Sequence, residues 1–275
     1  MLSGTGNSSI RQPAVAGSFY PGDASELRAM VSGYLRQAPA VALQSPAKAL
    51  IVPHAGYMYS GSTAAAAYAL VAQRSRLRRV VLIGPSHRVY LRGGAVPRAD
   101  AFATPLGTVR IDAELKAGLL RSPDVIESDA PHALEHALEV QLPFLQMLFE
   151  DFTLLPVVLG SASPAQVAAM LDAAWGDEET LVLSSSDLSH YHGYETAQRI
   201  DAATSDIILR RQPTLTGDQA CGAVGINGLL QAVLQRDLQV TEIARCNSGD
   251  TAGDRSRVVG YGAYAIHDAR SAAAS

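Results

Sequence analysis

Leu50-Ile51-Val52-Pro53-His54-Ala55-Gly56-Tyr57 is an apolar run that stops at a histidine. A short apolar run closed by a breaker reads as a buried strand. Pro53 has no N–H for a sheet ladder, so the strand ends there and His54 projects from its carboxyl end. Gly56 lets the backbone pass close to whatever His54 holds. The same grammar returns twice. Arg79-Val80-Val81-Leu82-Ile83-Gly84 runs into Pro85-Ser86-His87, and Thr180-Leu181-Val182-Leu183 runs into Ser184-Ser185-Ser186-Asp187-Leu188-Ser189-His190.

Helical patterns alternate with these strands. Residues 24–37 carry Leu27, Met30, Val31, Tyr34 and Leu35 at helical spacing. An alanine-rich helix is expected over 60–73. Asp112 is placed to cap a helix to residue 120, and Ser163-Pro164 to open one through 174. Residues 138–149 read as a helix in which Pro143 marks a kink or the first turn. Further helices are expected over 195–210 and 222–235. Weaker β-like sequence fills 95–111, and strands are expected over 152–159, 239–246 and 257–266. Such alternation gives an α/β fold with a largely parallel sheet and helices on both faces. There is no repeat or linker, so one domain is expected over 10–268, with flexible termini at 1–9 and 269–275.

Composition bounds the function. Apolar residues make up 48% of the 275, enough for a large core, and charged residues only 17%. A net charge of −4 with no basic patch excludes a nucleic-acid coat. The cluster Arg74, Arg76, Arg78 and Arg79 reads as a solvated helix end. Two cysteines make no disulfide framework. The polar start has neither the charged nor the apolar region of a signal peptide. The longest apolar run, residues 64–72, is far short of the roughly 20 that span a bilayer. A cytoplasmic protein without membrane or nucleic-acid partners is expected.

In open α/β sheets, ligands bind beyond the carboxyl ends of the strands. His54, His87 and His190 are therefore expected on one rim. One such histidine is explained as a satisfied polar residue, but three at strand ends point to metal or acid–base chemistry. Asp187, Glu135, Glu139 and Cys221 are the candidates for an anionic third ligand. Cys221 stands before Gly222 at a helix start, where the dipole favours thiolate. A rival pattern, His132-Ala133-Leu134-Glu135-His136, fits the inverted zinc-peptidase motif if His132 and His136 share a helix face.

The motifs together resemble the Memo family, the mediator-of-cell-motility proteins and their bacterial and archaeal relatives. The marks are Ala16-Gly17-Ser18-Phe19-Tyr20, Pro53-His54-Ala55-Gly56-Tyr57 with Ser60-Gly61, Gly84-Pro85-Ser86-His87 and Thr104-Pro105-Leu106-Gly107. Glu135-His136 with Glu139 and Leu142-Pro143-Phe144, Ser185-Ser186-Asp187 with His190, Cys221-Gly222, and Val258-Val259-Gly260-Tyr261 complete them. The resemblance implies a single-domain α/β/α sandwich similar to the class III extradiol dioxygenases. It implies metal ligands His54, His87 and Cys221, with His190 as acid–base group and Asp187, His136 and Glu135 in the same pocket. Tyr57, Gly56 and Ser86 are expected to wall a substrate. Iron as Fe2+ is the implied metal, copper and then zinc the alternatives. The implied function is a dioxygenase or oxidoreductase for a small, catecholic substrate. The alternative is a non-catalytic metal-binding, redox or peptide-interaction module. Two departures stand out: Ala223-Val224-Gly225 where the family often has a basic residue and proline, and Ala137 where it often has serine.

Overall fold

A computed structural model describes residues 9–269. The chain runs β1 (Ile10–Arg11), α1 (Ala24–Gln37), β2 (Ala49–Val52), α2 (Tyr57–Ala69), β3 (Arg79–Pro85), β4 (Gly94–Val96), β5 (Ala101–Thr104) and β6 (Gly107–Ile111). It continues α3 (Ala113–Leu119), β7 (Val125–Glu127), α4 (Ala130–Ala133), α5 (Leu142–Leu148), β8 (Thr153–Leu159), α6 (Pro164–Ala174) and β9 (Thr180–Ser185). Then follow β10 (His190–His192), α7 (Tyr194–Leu209), α8 (Ala223–Gln235), β11 (Gln239–Asn247) and β12 (Val258–His267).

The apolar runs β8, β3, β9 and β2 lie side by side and parallel at the centre of one twelve-stranded sheet. Both faces of these strands are covered, which is why they read as continuous apolar runs rather than alternating ones. Side chains still alternate between the faces. Leu50, Val52, Leu82 and Leu183 pack under α1, α2 and α5, with Leu27, Val31, Ala65, Tyr68 and Phe144. Ala49, Ile51, Val81, Ile83 and Val182 pack under α6 and α8, with Val167, Leu171, Ile226 and Leu229. The sheet is mixed at its margins. β12 runs antiparallel to β2, and β10 and β11 both run antiparallel to β12. On the other side, β6 is parallel to β8 and β5 antiparallel to β6.

Register sets the rim. Val52 lies opposite Ser185, and Ile83 opposite Ser184. The chain therefore leaves β2, β3 and β9 at one level, and the residues that follow meet there.

Several boundaries differ from expectation. α2 starts at Tyr57 rather than Ser60, because Gly56 is its N-cap and the Tyr57 N–H is taken by Phe19 O. It stops at Ala69, short of 73. Residues 138–149 divide into a 3-10 turn (Glu139–Gln141) and α5, with Pro143 in its first turn. His190 does not stand directly at the end of a core strand. It opens β10, a separate strand held by β12, and Tyr191 beside it has φ 62°. The expected flexible termini fall, apart from Ser9 and Ala269, outside the described residues. Among the described residues no helix is long and apolar enough to cross a membrane.

Candidate metal centre

Beyond the carboxyl ends of β2, β3 and β9 lies a cleft of about 760 Å³. His54, His87, His136, Asp187, His190 and Cys221 line it, with Phe19, Tyr59, Tyr191 and Arg257 among the wall residues. The ring centroids of His54, His87 and His136 are 4.8–5.3 Å apart. One nitrogen from each lies within 4.8 Å of the others, a group that can hold a metal ion.

Hydrogen bonding fixes which nitrogen each imidazole offers. His54 Nδ1 is 2.9 Å from Ser185 Oγ. The Ser185 hydroxyl donates to Ala137 O (2.6 Å) and accepts from Gln141 Nε2 (2.9 Å). Gln141 is oriented in turn, since its Nε2 also donates to Pro53 O. Ser185 has no proton left to give, so His54 Nδ1 donates and Nε2 keeps its lone pair. His87 Nδ1 donates to Glu135 Oε1 at 2.9 Å, and His136 Nδ1 lies 3.3 Å from the same oxygen. His190 Nδ1 donates to Leu188 O at 2.8 Å. His54, His87 and His190 thus donate from Nδ1 and keep the lone pair on Nε2, the arrangement in which an acceptor on the far nitrogen aims a metal-ligating histidine.

Burial disfavours charge on two of these rings. It pulls His54 down to about 3, with the charge on His87 adding to the effect, and pulls His136 down to about 4. Burial pushes Glu135 up, but hydrogen bonds from His87 and from the Ala137 N–H outweigh it and hold the carboxyl at about 2. Glu135 is thus an anion aimed at His87. Asp187 is raised by burial, against N–H groups of His54 and Ala55 that favour its charge.

Cys221 Sγ lies 3.1 Å from His54 Nε2. The helix start that favours a thiolate is opposed here by burial. Burial, reinforced by Asp187, pushes the thiol up to about 12, and the start of α8 does not overcome it. The S–H then faces the His54 lone pair. The donors fit a metal: bonds of about 2.1 Å to nitrogen and about 2.3 Å to sulfur readily span such an edge. Two imidazole nitrogens on one ion stand about 3.4 Å apart in tetrahedral coordination, so histidine nitrogens as far apart as 4.8 Å draw in by about 1.4 Å on binding.

The remaining expected site residues take other places. Gly56 lines the cleft. Tyr57 is buried, its hydroxyl on Val140 O, and the aromatic walls are Phe19 and Tyr59 instead. Ser86 lines a neighbouring cavity of about 250 Å³ with Gly222, Val224 and Gly225, its hydroxyl on Val89 O. Glu139 is no ligand candidate, since Arg11, Ala14, Val15 and Tyr20 take its carboxylate. The peptidase geometry is absent because α4 ends at Ala133, short of His136. His132 is buried and bonds Ala95 O. Sequence reasoning gives neither Ser185 nor Gln141 a role at the site. Both sit among residues whose type alone carries no signal.

The family model described as "Memo-like protein" matches residues 11–265. A MEMO1 family protein of Ignicoccus hospitalis is 36% identical over 278 residues, covering 92% of this chain and 97% of the relative. One from Aquifex aeolicus is 35% identical with the same coverage, and one from Metallosphaera sedula 31% identical over 94% of this chain and 99% of its own. Among solved structures, the uncharacterized protein JW3007 from Escherichia coli K12 shares the fold at a TM-score of 0.50 and 12% identity, over 78% of this chain and 98% of that one.

Proposed function

We propose that this chain, which belongs to the Memo-like protein family, holds iron(II) between His54, His87 and Cys221 and oxidises a small aromatic diol with dioxygen. One observation carries the reading: His54, His87 and His190, each held at Nδ1 by an acceptor, line one cleft together with Cys221, whose Sγ lies 3.1 Å from His54 Nε2. When bound, iron(II) supplies open coordination positions where an ortho-diphenol and dioxygen meet. Both oxygen atoms enter a ring-opened product, so no external reductant is required.

The residues divide the remaining work. His54 and His87 are the neutral donors. Cys221 would be the anionic one, as a ligating thiol is held deprotonated. His190 is the base. Its Nδ1–H is spent on Leu188 O, so Nε2 takes a phenolic proton. Asp187 holds the backbone of His54 by accepting its N–H at 2.7 Å. His136 stacks near-parallel on His87 and packs against Phe19, an aromatic flank for a substrate ring.

A second reading has its own support. A cleft of about 760 Å³ is roomier than a single ring requires, and pockets of about 300–1,000 Å³ hold drug-sized ligands. A peptide segment beside a non-catalytic metal is the alternative.

Turnover separates the two. Loaded anaerobically with Fe2+ and given catechols in air, the wild type is expected to consume oxygen. His190→Ala is expected to bind the same iron and lose about 100-fold or more of the uptake. Full iron with no uptake on any catechol favours the binding module. His54→Ala, His87→Ala and Cys221→Ser are expected to lose iron and His136→Ala to keep it. Iron kept in Cys221→Ser but lost in His136→Ala makes the third donor an imidazole.

A further inference from the structure

Residues 134–138 belong to no helix or strand. Yet this stretch carries Glu135, which aims His87, and His136 itself. Irregular backbone keeps one geometry only where its polar groups are met. One carbonyl of this stretch, and that of His132 just before it, are held by a single buried side chain from far away in sequence, while Ala137 is met by Glu135 and Ser185. Arg11 Nε and Nη2 donate to His132 O at 3.1 and 3.0 Å, and Nη2 also donates to Glu135 O at 2.7 Å. Its Nη1 pairs with the Glu139 carboxylate. β1 holds Arg11 in place by pairing it with Phe102, whose ring lies 5.2 Å from the guanidinium.

Glu139 is fully buried and takes three more donors from the same N-terminal arm: the N–H groups of Ala14 (2.7 Å) and Val15 (3.0 Å) and the Tyr20 hydroxyl (2.5 Å). The arm is thereby laid against the cleft. It brings Phe19 onto His136, ring centroids 4.8 Å apart, and Phe19 O onto the Tyr57 N–H. None of these groups has a step in the proposed chemistry. Stability is a weak reason for them, since a buried ion pair is often replaced by apolar residues without loss. Geometry is the stronger reason, because a planar five-donor fork can clamp two carbonyls and a carboxylate together where a lysine cannot.

We infer that Arg11 is a positioning residue of the metal centre, acting through Glu135 on His87 and through Glu139 and Phe19 on His136. The inference rests on the metal reading only for its purpose, and one readout needs no metal.

The test uses the full chain with Arg11→Lys, which keeps the charge and loses the fork. Leu171→Ala, buried in the α6–α8 layer, is the control for general destabilisation. Nitrogen-15 imidazole spectra of the metal-free protein report the tautomer of His87, and Co2+ titration followed by visible absorption reports the site. Folded Arg11→Lys is expected to lose the single Nδ1–H tautomer of His87, to bind Co2+ about 10-fold or more weakly, and to shift the cobalt bands. Leu171→Ala is expected to change none of these. If Arg11→Lys does not fold, Tyr20→Phe decides: it removes one donor to Glu139, and a cobalt loss of about threefold to fivefold is expected. Wild-type tautomer and cobalt affinity in the folded variant, or the same changes in Leu171→Ala, overturn the inference. A wild type that takes up no cobalt while Arg11→Lys still alters His87 sinks the metal reading and leaves the positioning role standing.

Discussion

Ser185 decides the state of His54 through the ring nitrogen that faces away from Cys221. Its hydroxyl gives its proton to Ala137 O, so it has only acceptance to offer His54 Nδ1. Ser185→Ala removes that acceptor and leaves His54 free to turn or change tautomer. Loss of an acceptor behind a ligating imidazole weakens metal binding by about 10- to 100-fold. That is the expected outcome in a Co2+ titration, with the far-ultraviolet dichroism unchanged; unaltered affinity would show that His54 is held by other means. Ala137 bears on the same point. Its backbone N–H donates to Glu135 and its carbonyl accepts from Ser185.

At the scale of the element, the segment from Glu135 to Gln141 is the scaffold of the site. Glu135 orients His87, Glu139 ties down the N-terminal arm, and Gln141 sets Ser185. Its irregular start is why no periodicity announced it. The helices of the opposite layer obey simpler rules. α6 and α8 approach so closely that a Cβ at Gly228 would lie 2.2 Å from Val167 Cγ1. The contact includes the Cα of Val167 at 3.3 Å, so a rotamer change alone does not relieve it. Gly228→Ala is expected to destabilise by about 1–3 kcal/mol through overpacking, despite alanine's better helix propensity. Urea unfolding measures it, and a stabilised variant would contradict the packing.

Across the whole molecule, the desolvation of His54, His132 and His136 makes stability depend on pH. Burial pulls His54, His132 and His136 from 6.5 to about 3, 4 and 4. Between those values the unfolded chain binds protons that the folded chain refuses. Stability from these groups is full above about pH 6.5 and falls as pH drops toward 4, by at most about 4 kcal/mol per pH unit for three protons. Glu135, held at about 2 against an ordinary 4.5, acts in the same direction at lower pH. Its contribution is present above 4.5 and lost as pH falls toward 2. Calorimetry of the metal-free protein is expected to show Tm falling from pH 7 to pH 5; a flat profile would mean the imidazoles already carry protons in the fold.

The sequence by itself determined the α/β class, because apolar runs long enough to be buried on both faces alternate with helical periodicity. It also determined that His54 and His87 leave strand ends, because a strand's direction fixes where its carboxyl end points. Local chemistry set the starts of α3 and α6, where Asp112 and Ser163 cap the first turn. Only the tertiary structure decided the rest. Tyr57 and Ser86 turn from the cleft while Phe19 enters it from an arm held by Arg11 and Glu139. His190 reaches the cleft on β10, a strand held by β12. The thiol of Cys221 stays protonated because burial outweighs the helix start that the sequence displays. Hydrogen bonds between residues more than a hundred positions apart, and the desolvation of groups packed together, are properties of the folded chain that local pattern does not encode.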